Sequence, residues 1–209
     1  MAQIRLDDSG TIRSQHGEPT WEMADLFPRQ GEWTIDEYLS IEFDRGVEYD
    51  SGRLEFLPVP TEFHQDVLEY FYRQLYEFVT SRKLGKVHVA GLRVRTQERK
   101  FREPDVVFLG RGKSPQRKGR YWESADLTVE VVSEDEPKRD WVKKRAEYAR
   151  AGIAEYWIAD PRDKTLTVFT LDAGATEYRE AGRYGVGETA CSLLLDGLTI
   201  DVTAAFTHE

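Results

Sequence analysis

Glu103-Pro104-Asp105-Val106-Val107-Phe108-Leu109 is the stretch whose reading decides the fold, and Leu127-Thr128-Val129-Glu130-Val131-Val132-Ser133 answers it downstream. Each is a short apolar run of strand character. Each places a carboxylate on its strand, Asp105 leading into the first, after Glu103-Pro104, and Glu130 inside the second. A charge in an apolar strand is costly unless it is paired or binds a metal. Two such strands predict a site for a cation. The segment that follows supplies Asp140, Lys143 and Lys144, which could bring an ammonium to the same place.

Outward from that core, the pattern predicts an α/β fold around a mixed sheet. Thr34 with Glu37 three residues on matches a capping box, and a short helix through Phe43 is expected. Val47 to Tyr49 and Arg53 to Leu57 read as strands joined by the turn Asp50-Ser51-Gly52. Thr61 precedes Phe63, Val67, Phe71, Leu75 and Phe78, an apolar stripe at helical spacing that ends near Leu84-Gly85. Strands are expected over Val87 to Arg95, Phe101 to Leu109, Asp126 to Ser133, Ile153 to Ala159 and Leu166 to Leu171, with a turn at Asp160-Pro161. Pro137 opens a helix that Gly152 closes. On it Asp140, Lys144 and Tyr148 share a face, and Val142, Ala146 and Ala149 lie on another, suited to packing on the sheet. Short strands and a brief helix finish the chain from Tyr178. Residues 1–33 are polar and without period and read as an arm, partly disordered. Residues 34–209 read as one domain.

Composition narrows the function. The 209 residues are 40% hydrophobic and 12% aromatic, a globular balance. No apolar run approaches the ~20 residues that span a bilayer, and Met1 to Gly10 lacks the apolar core of a signal peptide. A cytoplasmic protein with no membrane partner and no organic cofactor is expected. The single cysteine, Cys191, excludes an intrachain disulfide, thiolate zinc sites and Cys-x-x-Cys redox chemistry. The net charge is −9, which opposes nonspecific nucleic-acid binding by the whole surface. Yet Arg93 to Arg120 holds ten Lys or Arg against three Asp or Glu. The basic loop Arg111 to Arg120, with Lys113, Arg117 and Lys118, is either a local phosphate-binding surface or a solvated face.

Pro104-Asp105, then Val129-Glu130-Val131-Val132-Ser133, then Asp140 to Lys144, then Tyr148-Ala149-Arg150-Ala151-Gly152 through Tyr156-Trp157-Ile158-Ala159-Asp160-Pro161 resemble the Uma-type family of candidate restriction endonucleases, within the PD-(D/E)XK nuclease superfamily. The resemblance runs from about Thr34 to Phe206 and is most specific over Lys144 to Pro161. It implies a restriction-endonuclease-like mixed sheet flanked by helices, with additional β-hairpins. It implies Asp105, Glu130, Glu48 and the carbonyl of Val131 as ligands of Mg²⁺, with Mn²⁺ as a substitute. Lys144 becomes the catalytic lysine, displaced from the usual strand position, where Val132 stands. His64, at the start of the long helix, joins the catalytic set, and Glu48 assists. DNA is the implied substrate, and a homodimer is expected because cutting two strands calls for two sites.

Three features depart from the family pattern: the extra acid Glu103, Lys143 where an acid is common, and the acidic run Glu134-Asp135-Glu136. They keep a second function open, a nuclease fold of little activity acting as a binding or regulatory module. Outside the resemblance, Glu48 reads as a strand-edge glutamate paired with an arginine, and Asp140 with Lys144 as an ordinary helical pair.

Overall fold

The computed structural model of the protein describes residues 27–41 and 45–207. The expected arm up to residue 26, and Phe43, lie outside that range. Thr34 and Glu37 form the reciprocal capping box, and α1 spans Ile35–Ser40. Thr61 accepts the His64 N–H and starts α2, Glu62–Ser81. Val67, Phe71, Leu75 and Phe78 of its stripe are buried, while Phe63 at its first turn is exposed. Phe27 and Trp33, at the end of the expected arm, stack on each other and pack into a core with Tyr38, Tyr49 and Phe101.

Thirteen strands are described: β1 Val47–Asp50, β2 Arg53–Phe56, β3 Gly85–Val89, β4 Arg93–Gln97, β5 Lys100–Arg102, β6 Val106–Gly110, β7 Tyr121–Trp122, β8 Leu127–Val131, β9 Glu155–Asp160, β10 Thr165–Thr170, β11 Arg179–Tyr184, β12 Thr189–Cys191 and β13 Thr199–Asp201. They form a six-stranded sheet, β11-β10-β9-β8-β6-β3, a five-stranded sheet, β2-β1-β5-β4-β7, and the ribbon β12-β13. Both larger sheets are mixed, β8 with β9 and β4 with β7 being the parallel pairs. This is the mixed α/β architecture expected. The β1–β2 turn is a two-residue loop whose Ser51 and Gly52 both have positive φ. A Cβ on Gly52 would stand 2.4 Å from the Gly31 carbonyl oxygen, so glycine is required there.

Two long strands expected from the sequence are each divided. Val87 to Arg95 becomes β3 and β4, and Phe101 to Leu109 becomes β5 and β6. In both cases the chain leaves one sheet and enters the other. Pro104 lacks the N–H a continuous ladder would use, and Gly91 has φ +95°. The two crossings run side by side, the Ala90 N–H donating to the Asp105 carbonyl at 2.9 Å. Asp105 therefore sits on the seam between the sheets.

The helix opening at Pro137 also differs. Its segment Arg139–Lys144 is π-helical, and only Arg145–Arg150, α3, is regular α-helix. The Arg145 N–H reaches back five residues to the Asp140 carbonyl. The widened turn leaves Val142 60% exposed, where packing on the sheet was expected, and buries Asp140 and Lys144. A short helix α4, Val202–Phe206, closes the described chain.

Apolar packing covers both faces of the six-stranded sheet. Val106, Phe108, Val129 and Val131 face α2, and Val107, Leu109, Tyr156 and Ile158 face α3 and the second sheet. Between the five-stranded sheet and α3 there is also an ionic contact. Arg102, fully buried, makes a forked pair with Glu147 at 2.7 and 3.0 Å and reaches Glu48 at 3.0 Å. Lys100 adds contacts to Glu147 at 2.9 Å and Asp50 at 3.1 Å. Burial pushes the Glu48 and Glu147 carboxyls up, but the adjoining cations outweigh it and hold both below their ordinary value of 4.5.

The pH dependence follows from those directions. A carboxylate depressed in the folded state stabilises it fully above the ordinary value, and that contribution is lost as pH falls through the folded one. Arg102→Met should cost about 3 kcal/mol at pH 7, because two buried carboxylates lose their shared guanidinium and keep only Lys100, Arg139 and Lys144. In urea unfolding, the gap between variant and wild type should narrow as pH is taken well below 4.5.

Candidate active site

Register brings the two strand carboxylates together. β6 and β8 pair antiparallel with Val106 opposite Val129 and Val107 opposite Thr128. One step further along that register sets Asp105 against Glu130, and directly opposed residues share a sheet face. Both line a cleft of about 930 Å³ at the seam, with His64, Asp140 and Lys144 around them. Asp105 Oδ2 accepts the Val131 N–H at 2.7 Å. His64 Nε2 lies 3.5 Å from that same oxygen and 3.1 Å from the Val131 carbonyl. The two acceptors thus converge on one point, held by an imidazole nitrogen. The other ring nitrogen, Nδ1, is buried and has no hydrogen-bond partner among the described residues.

Glu130, 1% exposed, accepts from Lys144 Nζ at 2.7 Å and from the Tyr148 hydroxyl at 2.6 Å. The ammonium also lies 3.3 Å from Asp140 and 3.7 Å from Glu48. Desolvation pushes Lys144 down, but these carboxylates outweigh it and hold the amine well above its usual range. Lys144 stays an ammonium at neutral pH. Burial pushes Glu130 up to about 8. Lys144 opposes that shift, and the charges of Asp105 and Asp140 add to it. The site therefore carries more carboxylate than its lysine offsets.

The π-turn points the two neighbouring lysines in different directions. Lys144 is 5% exposed and points at Glu130. Lys143 points outward to Glu55 at 2.7 Å. Spacing alone read Asp140 with Lys144 as an ordinary helical pair, while the resemblance made Lys144 the catalytic lysine; both are buried.

A protein-family comparison matches residues 35–203 to Uma2, described as "Putative restriction endonuclease". The chain belongs to this family. A solved structure described as a "putative nuclease belonging to DUF820" from Anabaena variabilis ATCC 29413 superposes with a TM-score of 0.66 at 17% identity. The match covers 83% of this chain and 97% of that one, and it establishes a shared fold. No functionally curated protein matches. Among the described residues, no helix is long and apolar enough to cross a membrane.

In this Uma2-family chain the remaining sequence candidates fall in different places. Glu48 does not line the cleft. It is fully buried behind Lys144, its oxygens taken by Arg102, by Arg139 and by the Glu103 N–H. It is paired with an arginine, as its bare sequence setting suggested. Among the described residues no three His, Cys, Asp or Glu side chains form a metal-binding group, so the donor set at the seam is two carboxylates and one carbonyl. Lys113, Arg117 and Lys118 do not line the cleft either, and Lys113 pairs with Asp126 at 2.6 Å. The cleft's arginines are Arg45, Arg93, Arg120 and Arg139. The hub Arg102 and the Tyr148 bond to Glu130 escaped the sequence reading. A charged residue in the short strand Lys100-Phe101-Arg102 was the available signal for the first. The second had none, since an aromatic at that spacing reads as core.

Glu130 gives a second pH signature. A carboxyl raised in the folded state binds its proton more readily there than in the unfolded chain. Its stabilising contribution is full below the unfolded value of 4.5 and is lost as pH rises through about 8. Chelator-treated protein should lose stability to urea between about pH 5 and pH 8, and Glu130→Gln should flatten that decline.

Proposed function

We propose that the protein is a metal-dependent endonuclease that hydrolyses DNA phosphodiester bonds at the seam between its two sheets. The observation that carries the reading is Glu130 beside the register partner Asp105, with a buried ammonium bonded to it. The donor set suits a hard divalent cation such as Mg²⁺ or Mn²⁺, which prefers carboxylate and carbonyl oxygens and keeps some of its waters. Asp105, Glu130 and the Val131 carbonyl would hold it. Burial, with the charges of Asp105 and Asp140 adding to it, pushes Glu130 up to about 8; a bound cation would balance those carboxylates and displace a proton. Such an ion stabilises negative charge on the phosphate and lowers the pKa of a bound water.

The chain's own groups then divide the work. The Lys144 ammonium points into the cleft and stabilises charge that develops on the attacked phosphate. Held as an ammonium by its carboxylates, it orients water and donates hydrogen bonds rather than removing a proton. Asp140 and Glu48 fix its position from behind. His64 positions the Asp105 carboxylate and the Val131 carbonyl through one nitrogen. Arg45, Arg93 and Arg120 on the cleft wall are placed for the DNA backbone. Cutting both strands of a duplex calls for two such sites, hence a homodimer.

A second reading, a nuclease fold that binds without cutting, draws on Glu103, Glu134 and Asp135, which also line the cleft. Incubation of supercoiled plasmid with Mg²⁺ or Mn²⁺ separates the two. Wild type should nick or linearise it. Asp105→Asn keeps an acceptor for the Val131 N–H and should be slower by about 100-fold or more. Equal rates for both would remove Asp105 from the chemistry, and binding without cleavage by wild type would favour the second reading.

A tighter check concerns the ion itself. Titration calorimetry with Mn²⁺ should show binding to wild type with net proton release at pH 7. Asp105→Ala should abolish it, and Lys143→Ala should leave it unchanged.

A further inference from the structure

A second groove, of about 520 Å³, opens at the edge of the six-stranded sheet between α2 and the outermost strand β3. It shares no lining residue with the active cleft. Its walls carry Lys83, Lys86, Arg111 and Arg117 and no Asp or Glu. Among the described residues, Lys83, Lys86 and Arg111 pair with no carboxylate. Three cations of the active cleft contrast with this: Arg93, Arg139 and Lys144 are tied to carboxylates, while Arg120 donates to the Leu39 carbonyl and Arg45 lies over the Phe56 ring. Asp126, behind Gly110, is already engaged by Lys113 and by the Gly110 N–H.

Two further features define what fits. Gly85 and Gly110 face each other across β3 and β6, so the groove has no side chain at that point. On the α2 wall Tyr76 is 48% exposed, its ring 5.5 Å from that of Tyr72. Unpaired cations beside an open aromatic ring are the elements of a single-strand site, where cations follow the phosphates and bases stack on rings. β3 joins the groove to the cleft. It leads from Gly85 to Ala90 and Gly91 on the cleft wall, about 17 Å at ~3.3 Å per residue.

We propose that this groove binds single-stranded DNA, its phosphates on Lys83, Lys86 and Arg111 and a base on Tyr76, as the continuation of a strand seated in the cleft. The identity of the polymer rests on the nuclease reading above. Of the residues expected from sequence to contact nucleic acid, Arg117 alone lines the groove. The net charge of −9 does not oppose this, because the groove's own field is positive.

The test separates the groove from the cleft. Labelled oligothymidylates of about four and about twenty nucleotides, and a duplex of the longer length, are titrated by anisotropy in EDTA at several salt concentrations. The wild type should bind the long single strand more tightly than the short one or the duplex. The triple variant Lys83→Gln, Lys86→Gln, Arg111→Gln should weaken only the long strand. Its salt slope should become shallower by about 2, at ~0.7 for each phosphate that is no longer neutralised. Tyr76→Ala should weaken it about tenfold with little change in slope. All four positions are exposed, so the thermal melt should not move. Cleavage of a short substrate in Mg²⁺ should be unchanged in both variants. Unchanged affinity and slope in the triple variant would overturn the groove even where the wild type cleaves DNA, and so would a duplex preference that disappears in that variant. A wild type that does not cleave, but whose long-strand binding falls in the variants, would keep the groove and remove the nuclease reading.

Discussion

A guanidinium without access to water holds the two halves of the molecule together. Arg102 closes β5 in one sheet, and the chain then crosses to the other within three residues. At the crossing Arg102 grips Glu147 from α3 with a fork and Glu48 from β1 with a single nitrogen. Arginine's planar fork and permanent charge make this possible where a lysine would offer a single point charge. An ion pair so deep is not evidence of high stability, because desolvation offsets much of the attraction. Its consequence is geometric. Glu147 lies one turn beyond Lys144 in the same helical segment, so the fork also sets where the Lys144 side chain begins.

The same network explains why the lysine comes from a helix. Val132, two residues after Glu130 and next in line on its face of the sheet, is buried in apolar packing with Tyr148 and Ile153. An ammonium there would have to displace that packing. Lys144 enters from the neighbouring π-turn, which tightens the approach of Asp140 and Lys144 to the seam and turns Val142 to solvent. A π-turn forfeits regular helix geometry and is found mostly at functional positions. Here it brings four carboxylates around one cation: Glu130, Asp140 and Glu48 by contact, and Asp105 through the field. The ammonium is held in place before any substrate arrives, as electrostatic preorganisation requires.

How much of this the sequence reveals depends on the range of the interaction. The Thr34 and Thr61 caps, the α2 stripe and the Ser51-Gly52 turn are local and legible. So is the burial of Glu130 in its strand, because a charge within an apolar run is itself a signal, whereas Asp105 lies half-buried one residue before β6. The broken strands were not legible. Val87 to Arg95 has continuous strand character, and only the tertiary pairing of Ala90 with Asp105 reveals the change of sheet. Arg102 was missed for a related reason: its partners lie 45 to 54 residues away, and no local pattern marks them. The basic loop was legible as charge but not as location. Its Lys113 turns to Asp126, whereas Lys83 and Lys86, outside that loop, face the groove.

An acidic chain with a buried carboxylate centre is an unexpected partner for a polyanion, and the distribution of ion pairs resolves the difficulty. Much of the negative charge near the seam is compensated internally: Glu48, Glu147 and Asp50 by Arg102, Lys100 and Arg139, and Glu55 by Lys143. Compensated pairs contribute little field beyond a Debye length, about 8 Å at physiological ionic strength. What an approaching strand experiences is the uncompensated remainder. At the seam that remainder is negative, from Asp105 and Asp140 set against the one Lys144 ammonium, and suits a small divalent cation. Along β3 it is positive, from Lys83, Lys86 and Arg111, and suits phosphate. Net charge averages over these regions and predicts neither. Because the two remainders are joined by a single edge strand, a bound divalent cation would cancel the negative charge at the seam and leave the positive groove leading up to it.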